Sequence, residues 1–294
     1  MTLPENWQRV RLALIRSPRN PHSFALNEAI EFLLYSLRTL GCHADRAENE
    51  LIADGPNIIF CAGLLARNTA LALPDNCIIF NSEQILSGSP FDSEDYRDLL
   101  QRFPVWDYSA RNLDNLKTLV PPDRLHYVPI GYVPELTRIV PAAQEDIDVL
   151  FYGSLNERRQ KILTELGAAG LGVEYVFGVY GTQRDQLIAR SKVVLNVHFY
   201  PTKIFEIIRV SYLLANRKAV VSEFSPDTEI IPELRDAVAL AGYEQLVDTC
   251  RSLVYDTARR EALARRGFEC FSRLTFRDEL IAAIKATTYG REAR

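Results

Sequence analysis

The sequence has few cysteines, no long apolar run and no excess of basic charge, and each shortage excludes a class of protein. Its five cysteines are odd in number and form no CxxC pair, so neither a zinc site nor a disulfide framework is indicated. No apolar run approaches the roughly 20 residues that a membrane-spanning helix needs. The formal net charge of −4 argues against nucleic acid as a partner, because proteins that bind it broadly carry a basic excess.

An export signal and a metal-binding motif are also missing. The N-terminal residues lack the charged start and apolar core of a signal peptide, so we expect the protein to be cytoplasmic. The four histidines are too scattered along the chain to predict a metal site.

What the sequence does contain is an alternation of strand-like and helix-like segments. Its 294 residues exceed the usual size of one domain, and a hydrophobic fraction of 47% is enough to fill two cores. In the first half, apolar runs predict strands at 11–17, 57–63, 76–82, 104–109 and 124–132. Between them, amphipathic periodicity predicts helices at 24–41, 93–103 and 110–119.

Residues 133–146 contain two prolines and little periodicity, which is typical of a linker. After them the alternation restarts, with strands predicted at 147–152, 173–181, 192–200 and 218–223 and helices at 157–168, 182–191 and 203–215. We therefore predict an α/β protein of two Rossmann-like domains with parallel sheets, residues 1–140 and 141–294. Ligands of such sheets bind beyond the carboxyl ends of the strands, which predicts a site in an interdomain cleft.

The stretch DVLFYGSLNERRQKIL, residues 148–163, opens the second block and joins a strand to a cationic helix start through a small-residue turn. Gly153 and Ser154 in this turn allow a ligand to approach the backbone, and a helix N-terminus attracts anions. Arg158, Arg159 and Lys161 are candidates for a phosphate contact, or they form a solvated helix face. The glycine fingerprints of NAD-binding and P-loop proteins are absent, which argues against both classes.

Other polar residues lie where later strands of the second block end. Tyr180 and Gly181 close one predicted strand, and His198 lies near the end of the next. Lys203 and Glu206 open the predicted helix 203–215, where Lys203 adds positive charge. Glu206 is either a ligand-binding carboxylate or a first-turn carboxylate that the helix dipole favours.

Five segments carry a more specific pattern through their order and spacing. In chain order they are VWDYSARNLDNL, YVPIGYVPEL, IDVLFYGSLNERRQKIL, RSKVVLNVHFYPTKIFEIIRVSYLLANRKAVVSE and AVALAGYEQLVDTCRSLVYDTARREALARRGFECFSRLTF. This series resembles the glycosyltransferase-B fold, and within it the group-1 glycosyltransferases. The resemblance covers most of the chain and is strongest from about residue 76 to residue 275.

The resemblance implies a nucleotide-sugar donor site in the second domain. The diphosphate would lie near Gly153, Ser154 and the start of helix 203–215. Arg158 or Lys161 would neutralise charge on the leaving group, with Arg158 preferred to the neighbouring arginine. This fold typically uses such cations and a helix dipole, so we expect no metal and no cofactor besides the nucleotide-sugar co-substrate.

The resemblance also implies positions for the base and the ribose. The base would lie near Tyr180 and Gly181, and Glu206 would accept hydrogen bonds from the ribose hydroxyls. Arg209, one turn later on the same helix face, would pair with Glu206 or face phosphate. Retaining members often carry Glu-x7-Glu here, but His198 stands eight residues before Glu206, so retaining stereochemistry is not indicated.

The first domain would hold the acceptor, whose hydroxyl needs a general base in an inverting transferase. Glu83 is the first candidate, Asp107 the second and His22 the third, because each lies close to or just after the end of a predicted first-domain strand. Two have structural alternatives: Glu83 as the partner of an Asn81 helix cap, and Asp107 as the cap of helix 110–119.

These features predict a glycosyltransferase that moves a sugar from a nucleotide-sugar to a glycan or lipid-linked acceptor in polysaccharide biosynthesis. The basic stretch 255–274 is predicted to pack back across both domains, with a peripheral contact at the inner membrane as the alternative. The competing function is a non-catalytic, two-lobed nucleotide- or sugar-binding protein. An epimerase or phosphorylase is a weaker third class, because the NAD fingerprint is missing and the chain is short.

Overall fold

The computed structural model describes residues 3–17, 21–84 and 93–292, and the chain forms two compact units. Unit 1 comprises the chain up to Ile130 together with the C-terminal segment from Thr275, and unit 2 comprises Gly131–Leu274. Each unit is a parallel sheet accompanied by helices, so the predicted α/β class with two parallel sheets is confirmed. Within the described ranges, none of the helices combines the length and apolar character that crossing a bilayer demands.

The sheet of unit 1 is built from six short strands. They are β1 (Arg9–Leu14), β2 (His43–Glu48), β3 (Asn57–Phe60), β4 (Cys77–Asn81), β5 (Val105–Asp107) and β6 (Leu125–Tyr127). All pairs are parallel, in the order β2-β1-β3-β4-β5-β6. The accompanying helices are α1 (Asn27–Thr39), α2 (Arg67–Leu71), α3 (Glu94–Arg102) and α4 (Ala110–Leu116). Strands β3 and β4 are buried throughout, as continuous apolar runs in a covered sheet are.

The C-terminal helix (Arg277–Glu292) belongs to unit 1 and packs against β6. Trp106 in β5 donates a hydrogen bond from its indole N–H to the hydroxyl of Thr287 over 2.9 Å. The Trp106 ring also stacks on Trp7, with ring centroids 5.7 Å apart. The C-terminal helix and the N-terminal residue Trp7 therefore both pack against Trp106 in unit 1.

The sheet of unit 2 has five strands. They are β7 (Ile147–Tyr152), β8 (Val173–Val176), β9 (Ser191–Asn196), β10 (Ala219–Glu223) and β11 (Ala239–Ala241), all parallel in the order β11-β10-β9-β7-β8. The helices are α5 (Glu157–Ala168), α6 (Gly181–Arg190), α7 (Ile207–Ala215), α8 (Leu246–Tyr255) and α9 (Thr257–Phe271). The carboxyl ends of β7, β9 and β10 lie side by side, which brings their following residues together.

Three elements of unit 2 are shorter than the sequence predicts, and the first is the strand predicted at 173–181, which ends at Val176. The predicted helix 203–215 begins only at Ile207, because Lys203 adopts a left-handed conformation with a φ of +50°. The backbone N–H of Phe205 then bonds to the carbonyl of Glu229 instead of entering a helix. The predicted strand 192–200 likewise ends at Asn196. The residues between this strand and α7 therefore form an irregular connection.

The segment 131–139 is fastened to the C-terminal end of α7. The side-chain oxygen of Asn216 accepts the backbone N–H groups of Arg138 and Ile139, each over 2.8 Å. Its amide nitrogen donates to the carbonyl of Leu136, also over 2.8 Å. The compact units accordingly divide after Ile130, whereas the sequence places the boundary at residue 140.

Candidate functional site

The turn after β7 is shaped so that only glycine fits at its first position. Gly153 has a φ of +137°, and a Cβ atom there would lie 2.7 Å from Nη2 of Arg209. Ser154 follows and is exposed. Asn156 caps α5, because its side-chain oxygen accepts the backbone N–H of Arg159 over 3.0 Å. The turn therefore opens directly onto the Arg209 guanidinium and the start of a helix.

Arg159 lies beneath this turn, with a side chain only 3% exposed. Its Nη1 donates to the carbonyl of Ser154 over 2.9 Å, and its Nε donates to the carbonyl of Val197 over 2.9 Å. The guanidinium also lies 5.3 Å from the ring centroid of Phe151. Burial, and then the nearby charge of Arg209, lower the pKa of Arg159 to about 9.

Arg209, on α7, is the second guanidinium at the turn. Its Nη1 donates to the side-chain oxygen of Asn196 over 3.0 Å, and its Cζ lies 5.7 Å from the Phe151 centroid. Among the described residues, the carboxylate that lies within 4 Å of either guanidinium is that of Glu206, 3.6 Å from Arg159. One carboxylate therefore lies within 4 Å of this pair of buried or half-buried cations, and of the two it contacts only Arg159, which leaves the turn with an excess of positive charge.

Glu206 occupies the N-cap position of α7, but its side chain makes no capping bond. Instead it accepts a hydrogen bond from Nδ2 of Asn196 over 2.8 Å and lies 3.1 Å from Nδ1 of His198. Burial acts to raise the pKa of Glu206, but the hydrogen bond and the charge of His198, the charge of Arg209 and the hydrogen bond from Asn196 outweigh it and lower the pKa to about 2. The carboxylate is therefore ionised, and its side chain is 18% exposed.

Arg158 was predicted as the preferred phosphate ligand, but its guanidinium pairs with Glu223. Its Nη2 lies 2.6 Å from Oε1 of Glu223, and its Nη1 lies 3.2 Å from Oε2 of the same buried carboxylate. Its guanidinium also covers the ring of Tyr243 at 4.3 Å. The hydrogen bond with Glu223 raises the pKa of Arg158. Of the two neighbouring arginines, it is Arg159 whose guanidinium contacts the Gly153–Ser154 turn.

The remaining predicted donor-site residues each have contacts of their own. Lys161 is exposed on α5 and pairs with Glu165 at 3.7 Å, as a solvated helix face does. Lys203 pairs with Asp227 at 3.1 Å. Tyr180 is half-buried and directly precedes α6, whose first residue, Gly181, has a φ of +59°. His198 is buried against Glu206.

Two polar residues of this cluster, both at the ends of apolar strands, were not predicted from the sequence. Asn196 ends β9 and connects Glu206 to Arg209, while Glu223 ends β10 and holds Arg158. Both are buried. A polar side chain that closes an otherwise apolar strand was the signal available in VVLN and AVVSE, since unpaired polar groups are costly to bury.

In unit 1, Glu83 follows β4, and burial raises its pKa to about 7 against the opposing effect of a hydrogen bond from Ser82. Its backbone is held on both sides, because Glu83 N–H donates to Oδ1 of Asn81 and Glu83 C=O accepts from Nδ2 of Asn112 at 2.7 Å. A helix capped by Asn81 would fall on residues 85–92, which lie outside the described residues. The carboxyl group therefore titrates near neutrality in a rigid turn.

Asp107 and His22, the other candidate bases, have different surroundings. Asp107 is fully buried and accepts hydrogen bonds from Nδ2 of Asn81, Nδ2 of Asn112 and the backbone N–H of Ser109. A carboxylate without exposed surface does not reach an acceptor, so Asp107 organises the turn that carries Glu83. It also supports α4 through Ser109, whose side chain is the cap of that helix. His22 lies half-buried in a short turn of 3₁₀ helix, Pro21–Leu26.

Throughout the described part of the chain, no group of three or more His, Cys, Asp or Glu residues is arranged to hold a metal ion. The expectations of a metal-free and cofactor-free site stay predictions.

Comparison of the sequence with known proteins gives distant relatives without a described function. No protein-family profile matches the chain. An uncharacterized protein of Acanthamoeba polyphaga mimivirus is 26% identical over 213 residues, which cover 70% of this chain and 67% of that protein. Two others from the same virus are 25% identical over 210 residues and 31% identical over 153 residues. The matches cover 28% and 17% of those two proteins, so the chain spans a fraction of their length.

Comparison with solved structures identifies the fold. HepE of Anabaena, solved in complex with UDP-glucose, matches with a TM-score of 0.59 and 11% identity over 97% of this chain and 100% of its own. Sucrose-phosphate synthase from Thermosynechococcus elongatus matches with a TM-score of 0.59 and 13% identity over 97% and 99%. WaaG, a glycosyltransferase involved in lipopolysaccharide biosynthesis, matches with a TM-score of 0.57 and 11% identity over 94% and 99%. The predicted resemblance to the glycosyltransferase-B fold is confirmed.

Proposed function

We propose that this chain, which has the glycosyltransferase-B fold, is a glycosyltransferase that transfers a sugar from a nucleoside diphosphate donor to a hydroxyl group. Its neighbours support the donor class, since HepE has been solved with UDP-glucose and with UDP. At 10–14% identity these neighbours establish the fold, so the reaction has to be argued from the residues of this chain.

The observation that carries the proposal is the excess of positive charge at the Gly153 turn. Arg159 and Arg209 lie against the same Phe151 ring, and the carboxylate of Glu206 lies 3.6 Å from Arg159. Burial and the charge of Arg209 both act against the charge of Arg159 and lower its pKa. A diphosphate bound at the turn would supply the missing negative charge. When the bond from the sugar to the diphosphate breaks, the same cations would stabilise the charge that develops on the leaving group.

Glu206 supplies the second recognition element of the donor. Its carboxylate is ionised, tethered by Asn196 and partly exposed, so it has the capacity to accept hydrogen bonds from the vicinal ribose hydroxyls. The turn at Tyr180 and Gly181, at the start of α6, would lie beside the base. Among the predicted ligands, Arg158 and Lys161 are assigned here to the support of α5 and to its solvated face.

Glu83 is the proposed general base for the acceptor. A carboxylate with a pKa of about 7 takes a proton from an attacking hydroxyl more readily than one of ordinary acidity. In an inverting displacement, that hydroxyl attacks the anomeric carbon while the nucleoside diphosphate leaves and its charge is met by the two arginines. The acceptor class would be a glycan or a lipid-linked hydroxyl compound, and no metal or further cofactor takes part in the proposed reaction.

The test begins with binding and continues to turnover. Isothermal titration of the wild-type protein with UDP, GDP and TDP, and with the monophosphate CMP for comparison, should reveal one nucleoside diphosphate that binds at micromolar concentration. Slow hydrolysis of the corresponding nucleotide-sugar, measured by release of the nucleoside diphosphate, would then support catalysis. If the protein binds a nucleotide but releases no nucleoside diphosphate from the nucleotide-sugar, and if Glu83→Gln leaves that binding unchanged, the non-catalytic binding protein would be favoured. Failure of all four nucleotides to bind would contradict the proposal.

A further inference from the structure

His198 is held at both ring nitrogens in the connection between β9 and α7. Its Nδ1 lies 3.1 Å from Oε2 and 3.3 Å from Oε1 of Glu206, and its Nε2 lies 3.3 Å from Oγ1 of Thr228. The residue is 2% exposed. A third tether is the backbone N–H of His198, which donates to Glu223 over 3.0 Å. The imidazole therefore has little freedom to move and little surface to offer a ligand.

The hydrogen-bond partners of His198 fix the proton on Nδ1 and the orientation of the ring. An ionised Glu206 carboxylate only accepts, so Nδ1 carries a proton and donates it. Oγ1 of Thr228 lies 3.3 Å from Nε2 and 3.2 Å from Oγ of Ser225, and its contact with Nε2 holds the other end of the imidazole. The ring is thereby oriented with Nδ1 toward Glu206.

We infer that His198 is a positioning residue for Glu206, and that Thr228 holds the imidazole in the orientation this role requires. Oε1 of Glu206 lies 3.6 Å from the buried guanidinium of Arg159. Without the bond from His198, the carboxylate would be drawn into a closer pair with that cation. In such a pair the Glu206 carboxylate would no longer accept hydrogen bonds from the ribose, and it would neutralise the Arg159 charge that binds phosphate. His198 thus keeps the Glu206 carboxylate apart from the Arg159 guanidinium, so that Glu206 can bind the ribose and Arg159 can bind the diphosphate.

This inference rests on the proposed function, because it assigns His198 a role through the ribose contact of Glu206. Two substitutions of His198, by asparagine and by glutamine, distinguish a positioning role from a role in packing alone. The amide nitrogen of asparagine occupies nearly the place of Nδ1, and that of glutamine nearly the place of Nε2. His198→Asn should therefore preserve the bond to Glu206, whereas His198→Gln should preserve the contact with Thr228 instead. Thr228→Val leaves the imidazole in place and removes only the hydroxyl that orients it.

The experiment compares UDP with 2′,3′-dideoxy-UDP, which lacks both ribose hydroxyls, by isothermal titration of folded variants. In the wild type, loss of the hydroxyls should weaken binding about tenfold. His198→Gln should bind UDP about tenfold more weakly than the wild type and bind both ligands equally. His198→Asn should keep the preference for UDP, and Thr228→Val should reduce it.

A purely structural role would weaken both ligands by the same factor and would make asparagine no better than glutamine. Either result, with a wild type that still prefers UDP, would overturn the inference and leave the proposed function standing. A wild type that binds UDP but does not distinguish the dideoxy ligand would overturn the ribose contact itself. If the wild type binds neither ligand and no other nucleoside diphosphate, both proposals fail.

Discussion

The missing Cβ of Gly153 makes room for Nη2 of Arg209, which lies 2.7 Å from the position that a Cβ atom would occupy. Gly153→Ala should therefore displace the guanidinium and strain a backbone with a φ of +137°. We expect a loss of about 1–3 kcal/mol of stability and a loss of nucleotide binding on the order of tenfold or more. The measurements are chemical denaturation and titration with UDP.

Gly170→Ala is the matched control for this substitution. Gly170 also has a positive φ, +82°, but a Cβ there would meet nothing within 4 Å. It should lose stability through backbone strain alone and keep its affinity for UDP. Equal affinity losses in the two variants would show that Arg209 is not displaced in the way proposed.

The charge at the turn gives a second prediction. Arg209→Gln should weaken UDP binding about 10- to 100-fold, because it removes a charge-assisted contact with phosphate. Lys161→Gln changes the net charge equally on the solvated face of α5, where the lysine is exposed and paired with Glu165. That control should bind UDP as the wild type does, and comparable losses in both variants would point to a long-range charge effect instead of a contact.

The pH dependence of transfer tests Glu83. A general base works in its deprotonated form, so kcat/KM should be constant well above pH 7 and fall as the pH drops through about 7. Glu83→Gln should lower kcat by about 100-fold or more and leave the affinity for UDP unchanged. A variant with wild-type turnover, or with the same pH profile as the wild type, would remove Glu83 from the mechanism.

Close packing of α9 in unit 2 gives a prediction about stability. A Cβ at Gly267 would lie 2.6 Å from the carbonyl of Ala237 and 2.9 Å from a methyl group of Leu214. Gly267→Ala should therefore destabilise the protein by about 1–3 kcal/mol. Gly167→Ala, inside α5 with nothing within 4 Å, should stabilise it by about 0.5–1 kcal/mol through helix propensity. Thermal denaturation of both variants checks the opposite signs.

Much of the fold could be predicted from the sequence because its strands are apolar and its helices periodic. The strand predicted at 147–152 coincides with β7, and the helix predicted at 157–168 coincides with α5. Strand β2 was missed because its residues, HADRAE, are mostly polar. It lies at the edge of its sheet, where charged residues prevent pairing with other chains and leave no apolar signal.

The sequence predicts which residues form the candidate donor site, but it does not distinguish the roles of neighbouring side chains. Arg158 and Arg159 are adjacent, so they point about 100° apart on a helix, and the strand pattern does not say which one faces inward. Their assignment depends on Glu223, which is 65 residues from Arg158 along the chain. Likewise, Glu206 is connected to His198 only because the backbone turns at Lys203, a residue that rarely adopts a positive φ.

The membership of the C-terminal helix in unit 1 has a consequence for how that unit folds. Unit 2 is one continuous segment of the chain, so its internal contacts form between residues of that segment alone. Unit 1 is assembled from two segments, and Trp106 lacks its hydrogen-bond partner Thr287 until the second segment has docked on β6. Folding of unit 1 therefore has to close a loop that contains the whole of unit 2, and closing a long loop costs conformational entropy.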